Sequence, residues 1–559
     1  MTFTFDGRPT EGVEGEPVAA SLLAADRLIL SRSFRFHRPR GLMCSTGQCG
    51  WCECEVDGRP SVRTCRVPVR EGLVVRGEHA FPSVGRDLLA ALGIGSRWIP
   101  PTFYHHRFLR PRRLRKRYLD VLRWFGGRGR LRTDGATPLD GRALQRIEAS
   151  VLVVGGGRAG LHAALGAAED DQRVVLIEAE PSLGGVWRAD RGDGTRGPSI
   201  EMLADEAAAA EVEILTSVTA TGWYDGVVAA VGDGVAYEIR ARAVVAATGS
   251  YEWVPLVPGA DRPGVMGART VAWLVDRHGI VPGDRILLVG GGAELADAEA
   301  GLRRAGGATI EGPIPTADLV AIRGRRRVTG AVIRRDGRER TVPIDVVVFS
   351  DRSPNLDLVL AAGGEVAAKA GTLLPVCDDD GRLRGSLLHV AGSAAGRPIS
   401  DSGAAALARR TGQVAARSAV DPRVAVDGPR SQDPQPAARL EPRSIEVDGV
   451  SIVCFCEDVR TWEIRAEQRG GYGDPELLKR RTGALTGPCQ GKYCLQAFAL
   501  LAVHESANPG SLPTARPPLR PIRLGDLVVD ESANVVDESA NAASADPSDD
   551  LRRAGNDVR

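Results

Sequence analysis

The sequence predicts a multidomain α/β chain, and three observations predict it: a four-cysteine loop near the N-terminus, two strand–glycine-turn–helix units in the middle, and a second four-cysteine set near the C-terminus. The 559 residues are 43% hydrophobic and 26% charged, an ordinary globular composition with length for three or four domains of roughly 150 residues each. The opening MTFTFDGRPTEG reads as strand, Asp-Gly turn and strand, without the basic start and apolar core of a signal peptide, and no apolar run reaches spanning length. A soluble cytoplasmic protein is expected, in which clustered cysteines hold metal or do redox chemistry more often than they pair as disulfides. The formal net charge of +1 gives no global pull toward nucleic acid or membrane.

The first cysteines are spaced Cys44-x4-Cys49-x2-Cys52-x12-Cys65, with Cys54 left over. The first three intervals are those of a plant-type [2Fe–2S] loop, where Gly47 and Gly50 let the backbone wrap closely. A zinc ribbon usually wants two separated C-x2-C knuckles and finds one here; a chance cluster is the bland alternative. Cys54, in the alternating CECEVDG, reads as a small apolar core residue. The second set is Cys454, Cys456, Cys489 and Cys494, a pattern of no common zinc finger, with a helical segment between its halves. A four-thiolate [2Fe–2S]²⁺ centre carries a net charge of about −2, so its burial needs positive charge or N–H donors, and Arg460, Lys479, Arg480, Arg481 and Lys492 lie in that segment. Cys377 stands alone in a polar loop.

Between the sets, ASVLVVGGGRAGLHAALGAAEDDQRVVLIEAE (149–180) is strand, glycine turn, helix and second strand. Gly155 makes the turn, Gly157 lets a pyrophosphate approach, Gly160 permits close helix–strand packing, and Glu178 is placed for ribose hydroxyls. SLGGVW with Gly185, and ARAVVAATGS with Thr248 and Gly249, extend this to a flavoprotein with two dinucleotide-binding domains. GDRILLVGGGAELADAEAGLRRAG (283–306) opens the second such domain with Gly290 and Gly292; its third position is Leu295, and no clear second strand with a ribose acid follows. A nicotinamide site and a purely structural domain are both open there. LLHVAGSAAGRPISDSGAAALARRTG (387–412) returns to the flavin domain with Gly392 and Ser393, the latter where such proteins usually carry aspartate. Residues 250–350 contain no cysteine, which excludes a thioredoxin-reductase-like C-x-x-C there.

With FHRPRG before the first loop, PPTFYHHRFLRPRRL after it and ELLKRRTGALTGPCQGKYC near the end, roughly residues 1–525 resemble the α-type subunits of heteromeric sarcosine oxidases, opine oxidases, hydroxyproline dehydrogenases and hydrogen cyanide synthase. The resemblance implies a β-grasp ferredoxin-like domain (1–95), a basic connector (96–146), an FAD/NAD(P)-binding Rossmann-like unit (147–420) with an inserted second dinucleotide domain (about 255–375), a linker (421–444), a helical BFD-like [2Fe–2S] domain (445–505), and an extension with a disordered tail (506–559) that repeats VVDESAN. It further implies FAD, two [2Fe–2S] clusters, NAD(P) or another nucleotide at the second glycine turn, and FMN at a subunit interface. The expected partners are a β-type, D-amino-acid-oxidase-like flavoprotein subunit that oxidises the C–N bond, and an electron acceptor.

No base or nucleophile for amine oxidation stands out, so the expected function is electron relay within an amine dehydrogenase, with catalytic residues unknown. The runner-up is a self-sufficient NAD(P)H reductase. A third reading, a non-enzymatic iron or nucleic-acid binding protein, rests on the stripe at 104–132, with eleven Arg/Lys against one Asp and interleaved aromatics. Such connectors more often dock on acidic surface or stay solvated, and no nucleic acid is expected.

Overall fold

The computed structural model describes residues 1–93, 111–126, 142–185, 198–232, 234–369, 371–397, 402–421, 450–503, 512–513 and 515–529. Most of the basic connector, the linker after Asp421 and the VVDESAN repeats beyond Val529 lie outside the described residues; within the connector, Arg112–Gly126 is a helix.

Alternation builds the N-terminal sheet. Phe3 and Phe5 point inward from Thr2–Phe5, and the Asp6-Gly7 turn, with φ of 49° and 74°, hairpins the chain into Arg8–Glu11. Val74–Gly77 then joins parallel to Thr2–Phe5, and the hairpin Glu53–Val56/Arg59–Arg63 completes a five-stranded sheet. Helix Val18–Ala24 contributes Val18 and Leu22 to the same core as Phe3 and Val75, giving the β-grasp arrangement. Cys54 is fully buried in that core, its thiol donating to Leu30 O at 3.3 Å.

The flavoprotein sheet has strands Ala143–Val154, Val174–Ile177, Glu213–Leu215, Val235–Ala246 and Leu388–Val390, in the spatial order third, second, first, fourth, fifth, all parallel. Such an order reverses direction between the first and fourth strands, and the crevice at their carboxyl ends is where ligands bind. Helices Arg158–Ala168 and Ser402–Val420 pack on one another over this sheet, close enough that a Cβ at Gly412 would lie 1.9 Å from Ala163 O. The paired strands Ser250–Glu252 and Arg352–Pro354 lead into and out of a second unit. That unit is a four-stranded parallel sheet, Val265–Gly267, Val346–Phe349, Arg285–Val289 and Thr309–Ile314, with an antiparallel meander over 319–342. The strand expected to be missing after the second glycine turn is therefore present. Its apolar pattern is interrupted by Gly312 and Pro313, and its acid, Glu311, sits mid-strand opposite Leu287, away from the carboxyl end.

Near the C-terminus, hairpin Ile452–Cys454/Val459–Arg460 precedes helices Thr461–Arg469, Pro475–Thr482 and Leu495–Val503 around Ile464, Leu478 and Phe498. Asp474 caps the middle helix through Leu477 N (2.9 Å), with Pro475 at its first position. The extension after residue 505 is not all tail. Leu519 is buried, its N–H donating to Thr221 O (2.8 Å), and Val528 O accepts from Arg142 N (2.9 Å), so the chain returns across the flavin domain. Among the described residues no helix is long and apolar enough to cross a membrane.

Buried ion pairs join the units. Arg40 bonds Asp261 of the second dinucleotide unit (3.0 Å) and Asp458 of the C-terminal unit (2.8 Å), while Arg38 bonds Asp261 (2.9 Å) and Arg35 reaches Glu463 (3.1 Å). Burial pushes the Asp261 carboxyl up, but the guanidiniums of Arg38 and Arg40 outweigh it and hold Asp261 below the usual carboxylate range.

Candidate functional site

The first glycine turn does what its spacing asks. Gly155 has φ +111°, and a Cβ there would lie 2.5 Å from Ala247 O; a Cβ at Gly160 would lie 1.8 Å from Gly155 O. Gly157, by contrast, has open space beyond its Cα. It faces a cavity of about 370 Å³ at the carboxyl ends of the parallel strands, a size suited to a cofactor. Glu178, 8% exposed, closes the strand Val174–Ile177, accepting from Gly156 N (2.7 Å) and Glu180 N (2.8 Å), and it too lines the cavity. Gly185 (φ +56°), Thr248, Gly249 and Ser393 complete the predicted lining; Val186 and Trp187 of SLGGVW lie outside the described residues. Gly392 lies behind Ser393, where a Cβ would meet Ala159 Cβ at 2.5 Å. An open glycine at a helix N-terminus, an acid at the second strand's end and an apolar sheet behind them fit a dinucleotide such as FAD.

The same cavity has walls that motif reading did not supply. Ser45, Thr46 and Gln48 come from the first cysteine loop, Tyr493 from the second set, and Leu519 and Arg520 from the returning extension. The Gln48 side-chain oxygen accepts from Arg520 Nε at 2.9 Å with its amide in the orientation that satisfies both groups, and Arg66, next to Cys65, pairs with Glu180. No short-range signal marks these residues, because each is brought to the cavity by packing between units.

Each cysteine set converges. In the first, Cys44 hydrogen-bonds Cys49 and Cys52 hydrogen-bonds Cys65, all four thiols at most 2% exposed. In the second, Cys456 meets Cys489 and Cys454 meets Cys494 in the same way, with Cys489 also reaching Cys494. Among the described residues no group of three or more His, Cys, Asp or Glu side chains is set to hold a single metal ion. The thiols meet instead two by two, as two irons with two thiolates each require. Backbone amides aim at the sulfurs, with Trp51 N 3.4 Å from Cys49 Sγ, and Gly47 and Gly50 take φ of 72° and 74° to wrap the loop. Burial pushes Cys44 up, but donors from Cys49, Thr46 and Tyr493 outweigh it and hold that thiol well below its ordinary range. Hydrogen bonds from Cys456 and Cys494, followed by burial in the opposite sense, leave Cys489 well below its range too. Lys492 adds to that lowering, whereas Arg480 and Arg481 face solvent in pairs with Glu476 and Glu467. These thiol groups fit iron–sulfur centres.

The two sets are neighbours. Cys456 Sγ lies 4.0 Å from Cys49 O, and the Arg63 guanidinium spans both loops, donating to Gly47 O (2.7 Å) and Pro488 O (3.1 Å). Trp51 and Phe455 pack edge to face beside them, centroids 5.1 Å apart. At Gly487 a Cβ would lie 2.2 Å from Cys456 Cβ, so only glycine lets the second loop close.

The second glycine turn differs. Gly290 and Gly292 have φ of 99° and 95°, but Glu294 occupies the first turn of helix Ala293–Ala305, paired with Arg269 (3.0 Å) and Arg352 (2.7 Å). A carboxylate there meets an incoming pyrophosphate with like charge, and Leu295 is buried in the core at the third motif position. The residues present do not fit a nicotinamide dinucleotide.

Comparison with known proteins agrees with this layout. Residues 1–80 match the family of 2Fe-2S iron-sulfur cluster binding domains, 150–198 that of FAD dependent oxidoreductases, and 448–531 the sarcosine oxidase A3 domain. The α subunit of sarcosine oxidase from Rhizobium meliloti (strain 1021) is 30% identical, the match covering 94% of this chain and 57% of that one. The chain is a homologue of the sarcosine oxidase and opine oxidase α-type subunits. An opine oxidase subunit of Agrobacterium tumefaciens (strain Ach5) is 26% identical over 67% of this α-type chain and 91% of its own length. The fold of this α-type chain also matches L-proline dehydrogenase from P. horikoshii, with a TM-score of 0.65 and 21% identity, covering 94% and 97% of the two chains. The chain spans 57% of the length of its R. meliloti relative.

Proposed function

We propose that this chain is the electron-transfer, α-type subunit of a heteromeric dehydrogenase for a secondary amine or amino acid, working in the cytoplasm beside a β-type flavoprotein that oxidises the C–N bond. The observation that carries this reading is the shared wall: the flavin cavity is lined by Ser45 and Thr46 of one cysteine set and Tyr493 of the other, and the sets touch at Cys456 and Cys49. A flavin takes electrons as a pair and a [2Fe–2S] centre passes them singly, which is the chemistry these groups supply when bound. The chain's own residues do the rest. Gly155, Gly157, Gly160, Glu178, Gly185, Thr248, Gly249, Gly392 and Ser393 shape the flavin site; Cys44, Cys49, Cys52 and Cys65 hold one centre, and Cys454, Cys456, Cys489 and Cys494 the other. Glu294 argues against a self-sufficient NAD(P)H reductase.

Two measurements test the reading. Anaerobically purified chain should carry about four irons and four acid-labile sulfides, and Cys49→Ser and Cys489→Ser should each remove about half. Stoichiometric zinc without sulfide would end the cluster assignment. The lone chain should oxidise neither NADH nor any amine, and adding the β-type flavoprotein should create dye-linked oxidation of a secondary amine such as sarcosine, hydroxyproline or an opine. Brisk NADH-dependent dye reduction by the chain alone would instead favour the reductase.

A further inference from the structure

Tyr493 is placed as neither cofactor assignment requires. It is 4% exposed, between Lys492 and the thiol-bearing Cys494, and its ring packs on that of Tyr251 with centroids 5.7 Å apart. Both rings line the flavin cavity. The Tyr493 hydroxyl donates to the Cys44 sulfur of the first set, while its backbone N–H donates to the Cys489 sulfur of the second. The segment is pinned on the cavity side by Lys492 Nζ on Asp357 (3.2 Å), the carboxylate that also accepts from Tyr251 Oη (2.7 Å). One residue of the C-terminal unit thus reaches a sulfur of each set and a wall of the flavin site.

A donor to a cluster sulfur stabilises the reduced state, which carries one more negative charge, and so raises the reduction potential. Inside a buried, low-dielectric setting that bond acts without competition from water. We propose that Tyr493 is a positioning residue through which the C-terminal domain sets the potential of the N-terminal [2Fe–2S] centre, making that centre a better acceptor for electrons leaving the flavin. The inference rests on the reading that both cysteine sets hold clusters.

The test is an EPR-monitored redox titration of the full-length chain, with iron and sulfide counted first, comparing wild type with Tyr493→Phe. Phenylalanine keeps the ring packing and the backbone N–H and removes the hydroxyl alone. The N-terminal centre should become harder to reduce, its reduced-to-oxidised ratio at a fixed ambient potential falling about tenfold, equivalent to about 59 mV for one electron. The C-terminal centre, which keeps its amide donor, should not move. Unchanged midpoints with both clusters assembled would overturn the role of Tyr493, and so would an equal shift of both centres, which is what loosened packing produces. If Tyr493→Phe loses a cluster, 3,5-difluorotyrosine at 493 replaces it: this stronger donor of similar volume should raise the N-terminal midpoint, and no rise overturns the proposal. A wild-type chain with only one EPR-active centre and two irons fails at the earlier step, and sinks the two-cluster reading together with the inference.

Discussion

Gly157 has an ordinary φ of −74° and nothing within 4 Å of where a Cβ would sit, so a side chain there strains no backbone and intrudes only on the cavity. Gly157→Val should therefore fold with its iron intact and retain less than about a tenth of the wild-type FAD, read from flavin absorbance and iron content. Unchanged flavin would make residues 155–160 a structural turn. His389 makes a different kind of prediction. It is buried in the strand Leu388–Val390, and burial, helped by nearby Arg382, pushes its pKa down to about 4. A folded-state value below the unfolded value of about 6.5 means stability that is present above pH 6.5 and is lost as pH falls toward 4. The interval of about 2.5 pH units corresponds to about 3 kcal/mol. His389→Leu should remove that dependence, measured as the difference between variant and wild-type denaturation curves from pH 7 to pH 4. The difference is the proper readout because Glu78 and Glu252, raised by burial to about 7 and about 8, act in the opposite sense as pH climbs from about 4.5.

Helices with the same motif begin differently here. Arg158–Ala168 opens on Gly157 with no acid in its first turn, whereas Ala293–Ala305 opens on Gly292 and carries Glu294 there. The N-terminal partial positive charge that would draw a pyrophosphate is available in the first and taken in the second. NADH and NADPH should therefore bind the lone chain more weakly than about 1 mM by fluorescence titration. Glu294→Ser, which removes the like charge and frees Arg269 and Arg352, should tighten that binding about tenfold or more. Submillimolar NADH binding by the wild-type chain would refute this account of the second turn.

Across the whole molecule, function depends on three units staying docked. Asp261 of the second dinucleotide unit is the acceptor shared by Arg38 and Arg40 of the N-terminal unit, and Arg40 carries the network on to Asp458 of the C-terminal unit. Asp261→Asn keeps the volume and removes the charge, leaving two guanidiniums short of a counter-ion at a cost of about 3–5 kcal/mol. Denaturant unfolding should move accordingly, and electron transfer from the flavin to the C-terminal centre should slow while flavin content holds. An unaltered denaturation midpoint would show that the network is dispensable. Because Asp261 titrates below its ordinary range when folded, its contribution is present above about pH 4 and is lost as pH falls through its depressed folded value.

Chemistry that is local could be read from the chain alone. Thiol spacing, the glycines that need positive φ or close approach, and Glu178 at a strand end each depend on a few neighbouring residues, so their roles were legible before any fold. Relations between the parts needed the folded molecule. FHRPRG stands out in the sequence without a reason; the fold supplies it, since Arg38 and Arg40 meet Asp261 and Asp458 more than 200 residues on. Arg66, Arg520 and Tyr493 carry no motif, and the strand Thr309–Ile314 is masked by its own Gly-Pro interruption. The physical reason is the same for the ion pairs and the cavity wall: each is built from side chains that only long-range packing brings together, and sequence spacing carries no record of that distance.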